Sequence, residues 1–351
     1  MRYGSERALF MSLHYVRTFV IGGLCCAVLT LSGCAWLREV ETADGGQMTD
    51  AEALEQRRQQ AVSLYVDAMM LNEINEYAAA LDKLEEATEL DGEFAVAFSM
   101  KGDLCQREQR YEQSADAYER ATVLDPWSFK DFFQLGNVSR VLNQFSRAAN
   151  AYATAAKLDP RHYDAHLGAA QSFFELKDLK QSRHYAEIAK GIDPVQADPE
   201  LLLGDIFEEE SDHVEAINAY RRALELRGND PQIMIALARS YLRMNRFSSA
   251  IELLVDVVAR EPNNGLAYQY IGFAQLKLKE TEQAIDSYKQ AVQLGHDDWM
   301  AHKSLGVAYM LLAMQNGNDE RLRALAIEQW NISLQINPDQ PQLRDLHSKY
   351  D

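Results

Sequence analysis

Residues 129–162 read FKDFFQLGNVSRVLNQFSRAANAYATAAKLDPRH and form one copy of a pattern that recurs every 34 residues from Ala61 to Asp298. Small residues stand at the eighth place of the copies: Ala68, Gly102, Gly136, Ala170, Gly204, Ala238, Gly272 and Gly306. Four copies carry a proline at the thirty-second place: Pro126, Pro160, Pro194 and Pro262. Small side chains at fixed points let two helices approach closely, and proline ends a helix. The period therefore predicts an all-α solenoid built from pairs of helices.

The residues that carry this period resemble the tetratricopeptide repeat. The third copy matches its pattern best, with Phe132, Leu135, Gly136, Ala148, Tyr152, Ala155 and Pro160. The resemblance implies a right-handed superhelix of about eight helix-turn-helix repeats within residues 50–340, closed by a C-terminal capping helix at 341–351. The predicted repeats are 61–94, 95–128, 129–162, 163–196, 197–230, 231–264, 265–298 and 299–340.

Two local features predict departures from a uniform array. In the eighth repeat Ala326, Trp330 and Pro338 follow eight residues later than the period requires. That shift predicts a longer helical pair, a polar loop over residues 315–320, or both. At the other end, Thr49-Asp50-Ala51-Glu52 fits a capping box, so we expect the first helix to begin near Asp50.

Residues 1–33 have the pattern of a lipoprotein signal peptide. Arg17 precedes an apolar run from Phe19 to Leu31, which is too short for a membrane span and suits the core of a secretory signal. The run ends in Leu31-Ser32-Gly33-Cys34, which resembles the bacterial lipobox. This resemblance implies cleavage before Cys34 and lipidation of its thiol. An uncleaved anchor and a cleaved signal without lipid are the alternatives.

The start of translation and the segment after the signal follow from the same region. A start at Met11 gives a signal of 23 residues, closer to the usual length than the 33 residues counted from Met1. Residues 34–49 are charged, contain Gly45-Gly46 and are predicted to be a flexible tether.

The charge of the chain restricts its partners. Its net charge is −18, and loss of residues 1–33 would remove three arginines and one glutamate and make it −20. Nucleic acid is disfavoured, because phosphate binding needs a basic surface. Anionic lipid would also repel the body, so membrane attachment should rest on acyl chains. Cys34 and Cys105 would be the cysteines left after cleavage, and with Cys34 lipidated no intrachain disulfide is expected.

No motif of a catalytic site is present in the sequence, so we expect no enzyme, no cofactor, no metal and no small-molecule substrate. His162 and His166 straddle a repeat junction and are interpreted as packing or surface residues. Cys105 falls at a core place and is expected to be a buried, inert thiol. The acidic run Glu208, Glu209, Glu210 and Asp212 could attract a cation, but a solvated helix end is the favoured interpretation.

Function is therefore expected on one face of the first helices. Places 4, 7, 8 and 11 of each should point into the core, and places 2, 5, 9 and 12 the opposite way. In tetratricopeptide arrays this opposite face lines the concave peptide-binding groove, and we call it the groove face. The predicted partner-binding residues are Phe133, Asn137, Arg140, Gln171, Phe174 and Phe273. Alternatively, Phe133 and Phe174 pack between adjacent repeats.

Further expectations concern the last four repeats. Asp205 with Arg239, and Glu209 with Arg243, should form ion pairs between neighbouring repeats. Leu266, Phe273, Leu276, Met300, Val307 and Met310 would be an exposed apolar patch if the groove were empty. Covering of this patch by the long last helix, through Leu322, Leu325 and Ile327, is slightly favoured.

Together these features predict a non-enzymatic scaffold for protein–protein interactions, lipid-anchored on the periplasmic face of the bacterial outer membrane. Ala35, rather than Asp, after Cys34 resembles the outer-membrane sorting signal of enteric bacteria. The scaffold would gather envelope proteins such as enzymes acting on peptidoglycan. The alternative is a pilotin-like assembly factor for a secretion, pilus or polysaccharide-export complex.

Overall fold

The computed structural model describes residues 49–295 and 297–350. The chain divides into two compact units, Met1–Ala53 and Leu54–Asp351, and the described part of the first is the start of helix α1. Over the described residues there are seventeen α-helices and no strand. They are α1 Asp50–Glu73, α2 Tyr77–Leu90, α3 Ala95–Arg107, α4 Tyr111–Leu124, α5 Phe129–Val141, α6 Phe145–Leu158, α7 Tyr163–Glu175, α8 Leu179–Ile192, α9 Asp198–Glu209, α10 His213–Arg227, α11 Pro231–Arg243, α12 Phe247–Arg260, α13 Gly265–Lys277, α14 Thr281–Leu294, α15 Trp299–Gln315, α16 Glu320–Ile336 and α17 Pro341–Tyr350. The predicted all-α solenoid is confirmed.

The turn inside each helical pair has one backbone feature that the sequence reading missed. One residue between the first and second helix has a positive φ, near +60°, in every pair: Asn75, Gln109, Asn143, Lys177, Ser211, Asn245, Lys279 and Asn318. Asparagine tolerates this left-handed conformation better than most residues, and four of the eight are asparagine. The same turn conformation thus recurs in all eight helical pairs.

The small residue at the eighth place matches the size of the side chain it faces in the second helix. A Cβ atom built on Gly136 would lie 2.7 Å from Cδ1 of Tyr152. Glycine faces an aromatic ring in five repeats: Gly102 with Tyr118, Gly136 with Tyr152, Gly204 with Tyr220, Gly272 with Tyr288 and Gly306 with Trp330. The repeats with alanine there have a smaller side chain at the facing place: Ala68 with Leu84, Ala170 with Ala186 and Ala238 with Leu254. In each pair of helices, therefore, either an aromatic ring of the second helix packs against glycine, or an aliphatic side chain packs against alanine.

The eighth repeat absorbs its eight additional residues in both predicted ways. Helices α15 and α16 are each 17 residues long, against 13 and 14 for α13 and α14. The turn also gains one residue, with Gly317 and Asn318 both at positive φ. Helix α17 then places Leu343, 1% exposed, in the same cluster as Trp330, and so caps the array.

Of the N-terminal predictions, the structure tests only those from residue 49 onward. The capping box is confirmed, because the Glu52 carboxylate accepts from Thr49 N at 2.9 Å and the Thr49 hydroxyl accepts from Glu52 N at 3.3 Å. The signal peptide, Cys34 and the tether before residue 49 lie outside the described residues. Where the helices are described, none is long and apolar enough to cross a membrane.

Candidate functional site

The groove face has the predicted orientation in the third repeat. On α5, Leu135, Gly136 and Ser139 are buried, Asn137 is half-buried and Arg140 is exposed. Burial thus alternates with the helical period, as expected when one face packs on α6. The candidate site is the series of side chains that these first helices present on the opposite face.

Some polar residues of the groove face accept hydrogen bonds from side chains of the core. In three repeats the hydroxyl of a buried tyrosine crosses the helical pair and donates to the ninth-place residue of its own repeat. Tyr152 donates to Asn137 at 2.7 Å, and the same bond recurs at 2.6 Å from Tyr118 to Asp103 and at 2.7 Å from Tyr220 to Asp205. An acceptor is needed because a buried hydroxyl without one costs free energy. Asn137 therefore has a structural role that the sequence reading did not assign.

Burial is the main cause of the pKa shifts of these residues, and the hydrogen bonds modify them. Burial raises the pKa of the Tyr118 and Tyr220 hydroxyls well above its usual range, and the adjacent carboxylate adds to this. Burial also raises the pKa of Asp205, although the hydrogen bond from Tyr220 and the charge of Arg239 oppose the shift. The ninth-place carboxylates are thus parts of the helix packing as well as of the surface.

Phe133 packs at a repeat junction, as the alternative interpretation proposed. Its ring centroid lies 4.9 Å from that of His162, 5.7 Å from Phe129 and 5.8 Å from Tyr152. His162 also caps α7, with Nδ1 3.2 Å from Ala165 N. Phe133 is half-buried among these groups, so its aromatic surface is shared between packing and the groove face.

Arg140 and Gln171 are brought together across the junction between the third and fourth repeats. Arg140 Nη1 donates to Gln171 Oε1 at 2.5 Å, and Asn137 Nδ2 donates to Gln134 Oε1 at 3.0 Å. Gln171 therefore already has one partner within the chain, and Asn137 has two, Gln134 and Tyr152. A ligand would have to use their remaining hydrogen-bonding capacity.

Phe174 borders an open cavity of about 480 Å³, here called the Phe174 cavity. Lys177 Nζ lies 5.1 Å from the centre of the Phe174 ring, within cation–π range. The cavity is lined by Phe174, Asp205, Glu208, Glu209, Ser211, Arg239 and Arg243. It lies between the first helices of the fourth, fifth and sixth repeats.

The acidic run beside this cavity differs from the solvated helix end that we expected. Glu208 is 6% exposed, and its Oε1 lies 2.6 Å from Ser240 Oγ and 3.2 Å from His213 Nδ1. Its Oε2 lies 2.8 Å from Arg243 Nη1. The interpretation as a solvated end was wrong for Glu208, because the twelfth place of α9 faces α11.

One of the two predicted ion pairs between repeats is present, and the other is not. Arg239 Nη2 lies 3.8 Å from Asp205 Oδ1, as predicted. The pairing of Glu209 with Arg243 was wrong. Glu209 lies 2.9 Å from Lys177 Nζ in the preceding repeat, because Arg243 is held by Glu208. In the described part of the chain no group of three or more His, Cys, Asp or Glu residues could hold a metal ion.

Phe273 borders a second open cavity of about 470 Å³, here called the Phe273 cavity. Its walls come from α11, α13, α14 and α15: Arg239, Leu242, Arg243, Gln269, Tyr270, Phe273, Tyr288, Trp299, Met300, Lys303 and Ser304. It shares Arg239 and Arg243 with the Phe174 cavity. Trp299, Lys303 and Tyr270 were missed because the sequence reading weighted the ninth place, whereas these stand at the first, fifth and sixth.

The apolar patch of the last two repeats is partly exposed. Leu266, Phe273 and Met300 are 45%, 40% and 50% exposed, so the favoured covering by the last helix is wrong for these three. Met310 is 5% exposed and belongs to the core instead, with Leu276, Val307 and Leu322 packed around it. The reason is that α16 packs on α15 as an ordinary second helix and leaves the groove face open.

The remaining candidates have the predicted structural roles. Burial raises the pKa of the Cys105 thiol, which is 1% exposed. His166 is 5% exposed, and its Nε2 lies 3.2 Å from the carbonyl oxygen of Pro160. Burial lowers the pKa of His166 and so favours its neutral form.

Comparison with known proteins identifies the repeats. Family models described as tetratricopeptide repeat match residues 133–197, 208–272 and 266–294. The chain is 27% identical over 128 residues to human tetratricopeptide repeat protein 7A, a match that covers 36% of this chain and 15% of that protein. The chain therefore contains tetratricopeptide repeats, and its match spans a small part of the length of this relative.

Solved structures with TM-scores above 0.5 support the fold alone. The C-terminal part of a tetratricopeptide-repeat protein from Cytophaga hutchinsonii superposes with a TM-score of 0.57 at 14% identity, covering 70% of this chain and 97% of that one. A chain of the Cut9-Hcn1 hetero-tetramer of the APC/C superposes with a TM-score of 0.52 at 18% identity, covering 82% of this chain and 55% of that one.

Proposed function

We propose that this protein is a non-enzymatic scaffold that binds a peptide or loop of a protein partner on its groove face. The observation that carries the proposal is the pair of adjoining open cavities, which share Arg239 and Arg243 and are bordered by Phe174 and Phe273. Phe273 is 40% exposed and Phe174 is half-buried, and aromatic residues and arginine are enriched at protein interfaces. Solenoids present such side chains along several repeats, so an extended segment can contact them in succession.

The predicted cluster of the third and fourth repeats belongs to the same proposed surface. Arg140, Gln171 and Phe174 continue the series of groove-face residues toward the N-terminus. Phe133 and Asn137 contribute less free surface, because they also contact Tyr152. We therefore place the centre of binding between Phe174 and Phe273.

The proposed location is the periplasmic face of the outer membrane, with Cys34 as the lipidated residue. The support is the apolar run that ends in Leu31-Ser32-Gly33-Cys34, followed by Ala35. Replacing Cys34 by Ala should abolish incorporation of a fatty-acid probe and release the protein from the membrane fraction. Unchanged labelling of the Cys34→Ala variant would refute lipidation at this residue.

Site-specific photo-crosslinking in intact bacteria tests the proposed binding surface. A photoreactive residue at Phe174 or Phe273 should crosslink to a protein partner, which mass spectrometry then identifies. The matched control places the same residue at Asn150, which is exposed on the second helix α6. Equal crosslinking from all three positions would contradict a groove-face site. Envelope enzymes among the products would indicate an adaptor, and a single pore protein would indicate the pilotin-like role.

A further inference from the structure

The Phe273 cavity reverses the charge of the molecule that surrounds it. The whole chain has a net charge of −18, whereas the charged residues lining this cavity are Arg239, Arg243 and Lys303, without an aspartate or glutamate. Carboxylates lie outside this lining: Asp205, Glu208 and Glu209 line the adjoining Phe174 cavity, and Asp298 accepts from Gln269 and from Met300 N at the helix start. A cationic cavity on an acidic protein selects for a ligand of negative charge.

Two lysines, Lys303 in the lining of the cavity and Lys277 beside Phe273, pair with no carboxylate of the described residues. Lys303 Nζ lies 5.9 Å from the centre of the Trp299 ring, and Lys277 Nζ lies 5.3 Å from that of Phe273. Within the described residues neither lysine forms an ion pair. Their ammonium groups lie over aromatic rings, where they can still pair with a carboxylate of a ligand.

The arginines keep donors for a ligand as well. Arg243 Nη1 contacts Glu208, but the side chain is 48% exposed, and a guanidinium carries five N–H donors. Arg239 Nη2 lies 3.8 Å from Asp205 Oδ1, and the Arg239 side chain is 40% exposed. Because Glu208 is itself held by Ser240, the position of Arg243 is defined before any ligand binds.

The same cavity offers apolar surface to one bulky side chain. Phe273 is 40% exposed and Met300 50% exposed, and Tyr270 and Trp299 stand beside them. A volume of about 470 Å³ lies at the small end of the range for ligand pockets, ~300–1,000 Å³. It accommodates a large side chain with its neighbours. A cavity with apolar surface and cationic side chains favours a ligand that has an apolar group and negative charge.

We propose that the Phe273 cavity binds an acidic peptide segment that carries a bulky apolar side chain. This inference rests on the proposed function and names its partner chemistry. The apolar side chain packs against Phe273, Trp299 and Met300, while aspartate or glutamate side chains pair with Lys303, Arg239 and Arg243. The acidic remainder of the chain repels such a segment elsewhere, so the charge pattern sets where it binds.

The test measures binding of labelled peptides to the full chain by fluorescence anisotropy. Three ten-residue peptides share two phenylalanines, and their other positions are Asp and Glu, Asn and Gln, or Lys and Arg. All are amidated, so that side-chain carboxylates alone are tested. We expect the acidic peptide to bind at least tenfold more tightly than the neutral one, and the basic peptide to bind weakest. The advantage should shrink between ~0.1 M and ~1 M salt, because salt screens exposed charges.

Variants locate the effect. Lys303→Glu should weaken binding of the acidic peptide at least tenfold and leave the neutral peptide nearly unaffected, whereas Phe273→Ala should weaken both. The matched control is Lys157→Glu on α6, which makes the same charge change at an exposed lysine outside the cavity and should leave both affinities unchanged. Thermal unfolding of each variant checks that it remains folded, which we expect because Lys303 forms no ion pair within the described residues.

Several outcomes would overturn the inference. Equal affinity for the acidic and neutral peptides would remove the role of charge, while leaving the groove face as a peptide site. Unchanged binding by folded Lys303→Glu would move the site away from this cavity. If no peptide binds, the inference fails, and crosslinking from Phe174 or Phe273 in cells still decides the proposed function separately.

Discussion

At the residue scale, the array depends on the fit between one small residue and one large one in each repeat. The glycine at the eighth place is required by contact and not by backbone conformation, since Gly136 lies inside α5 and the ring of Tyr152 covers it. Tyr152 in turn ends in a hydroxyl that needs Asn137 as its acceptor. Three residues of one repeat thus form a linked set, and each can be tested alone.

Gly136→Ala should destabilise the protein although alanine favours helix. The added methyl group would lie 2.7 Å from the Tyr152 ring, and overpacking of this kind costs ~1–3 kcal/mol. Gly191→Ala is the matched control, because Gly191 lies in α8 with nothing within 4 Å of the added atom. It should stabilise by ~0.5–1 kcal/mol through helix propensity. Urea unfolding measures the change in stability of both variants. If Gly136→Ala stabilised the protein as Gly191→Ala does, the contact with Tyr152 would be unimportant.

Asn137→Leu should cost ~1–3 kcal/mol, because it leaves the Tyr152 hydroxyl without its acceptor. Asn137→Asp should cost much less, since Asp103 and Asp205 fill this role in other repeats. Combining Asn137→Leu with Tyr152→Phe should recover most of the loss. A double-mutant cycle in urea measures the coupling, and strictly additive losses would argue against the bond.

At the element scale, adjacent first helices are joined by polar contacts that cross between repeats. Glu208 of α9 reaches Ser240 and Arg243 of α11, and Arg140 of α5 reaches Gln171 of α7. Asp205 of α9 accepts from Tyr220 of α10 and lies near Arg239 of α11. These contacts fix the spacing of the groove face, because they tie together the helices that present it.

Asp205→Asn should increase stability more at neutral pH than at acidic pH. Burial raises the folded-state pKa of Asp205, so the folded protein holds this proton more tightly than the unfolded chain. The associated stabilisation is present at low pH and is lost as pH rises through the raised pKa. Asparagine keeps an acceptor for Tyr220 and removes that pH dependence. Unfolding free energies of both proteins from about pH 4 to 7 test this, and a pH-independent difference would contradict it.

At the scale of the whole molecule, the stability of the second unit is spread over repeats that contact their neighbours. Helix α17 packs on the eighth repeat and buries Leu343 with Trp330 and Tyr309. Solenoids of this kind need such a cap, because the last repeat would otherwise expose its apolar face. Because each repeat contacts only its neighbours, a substitution in α17 should destabilise the last repeats and leave the first ones unaffected.

Leu343→Ala should therefore destabilise the last repeats selectively. Truncation of a fully buried leucine costs ~2–5 kcal/mol. Hydrogen exchange should show faster exchange in α15 and α16 and unchanged protection in α5 and α6. Leu325→Ala, at an exposed leucine of α16, is the control and should change little. Uniform loss of protection along the chain would mean that the array unfolds as one unit.

The solenoid, the number of helical pairs, the first helix at Asp50 and the lengthened eighth repeat were predictable from the sequence alone. These features depend on local signals, namely the repeat period, the capping residues and the small residues at fixed places. Such signals can be identified in the sequence without the tertiary structure. The core and groove faces followed for the same reason, since helical geometry converts place in the repeat into direction.

Which side chains remain free to bind was decided only by the tertiary structure. The sequence showed Asn137 and Glu208 as polar residues of a surface, but Tyr152 engages the first, and Ser240 and Arg243 bury the second. It also treated Met310 and Met300 alike, although one is buried and the other exposed. Such differences arise from contacts between helices, within one repeat for Asn137 and between neighbouring repeats for Glu208. The Phe273 cavity, with walls from four helices, exists only once those helices have packed.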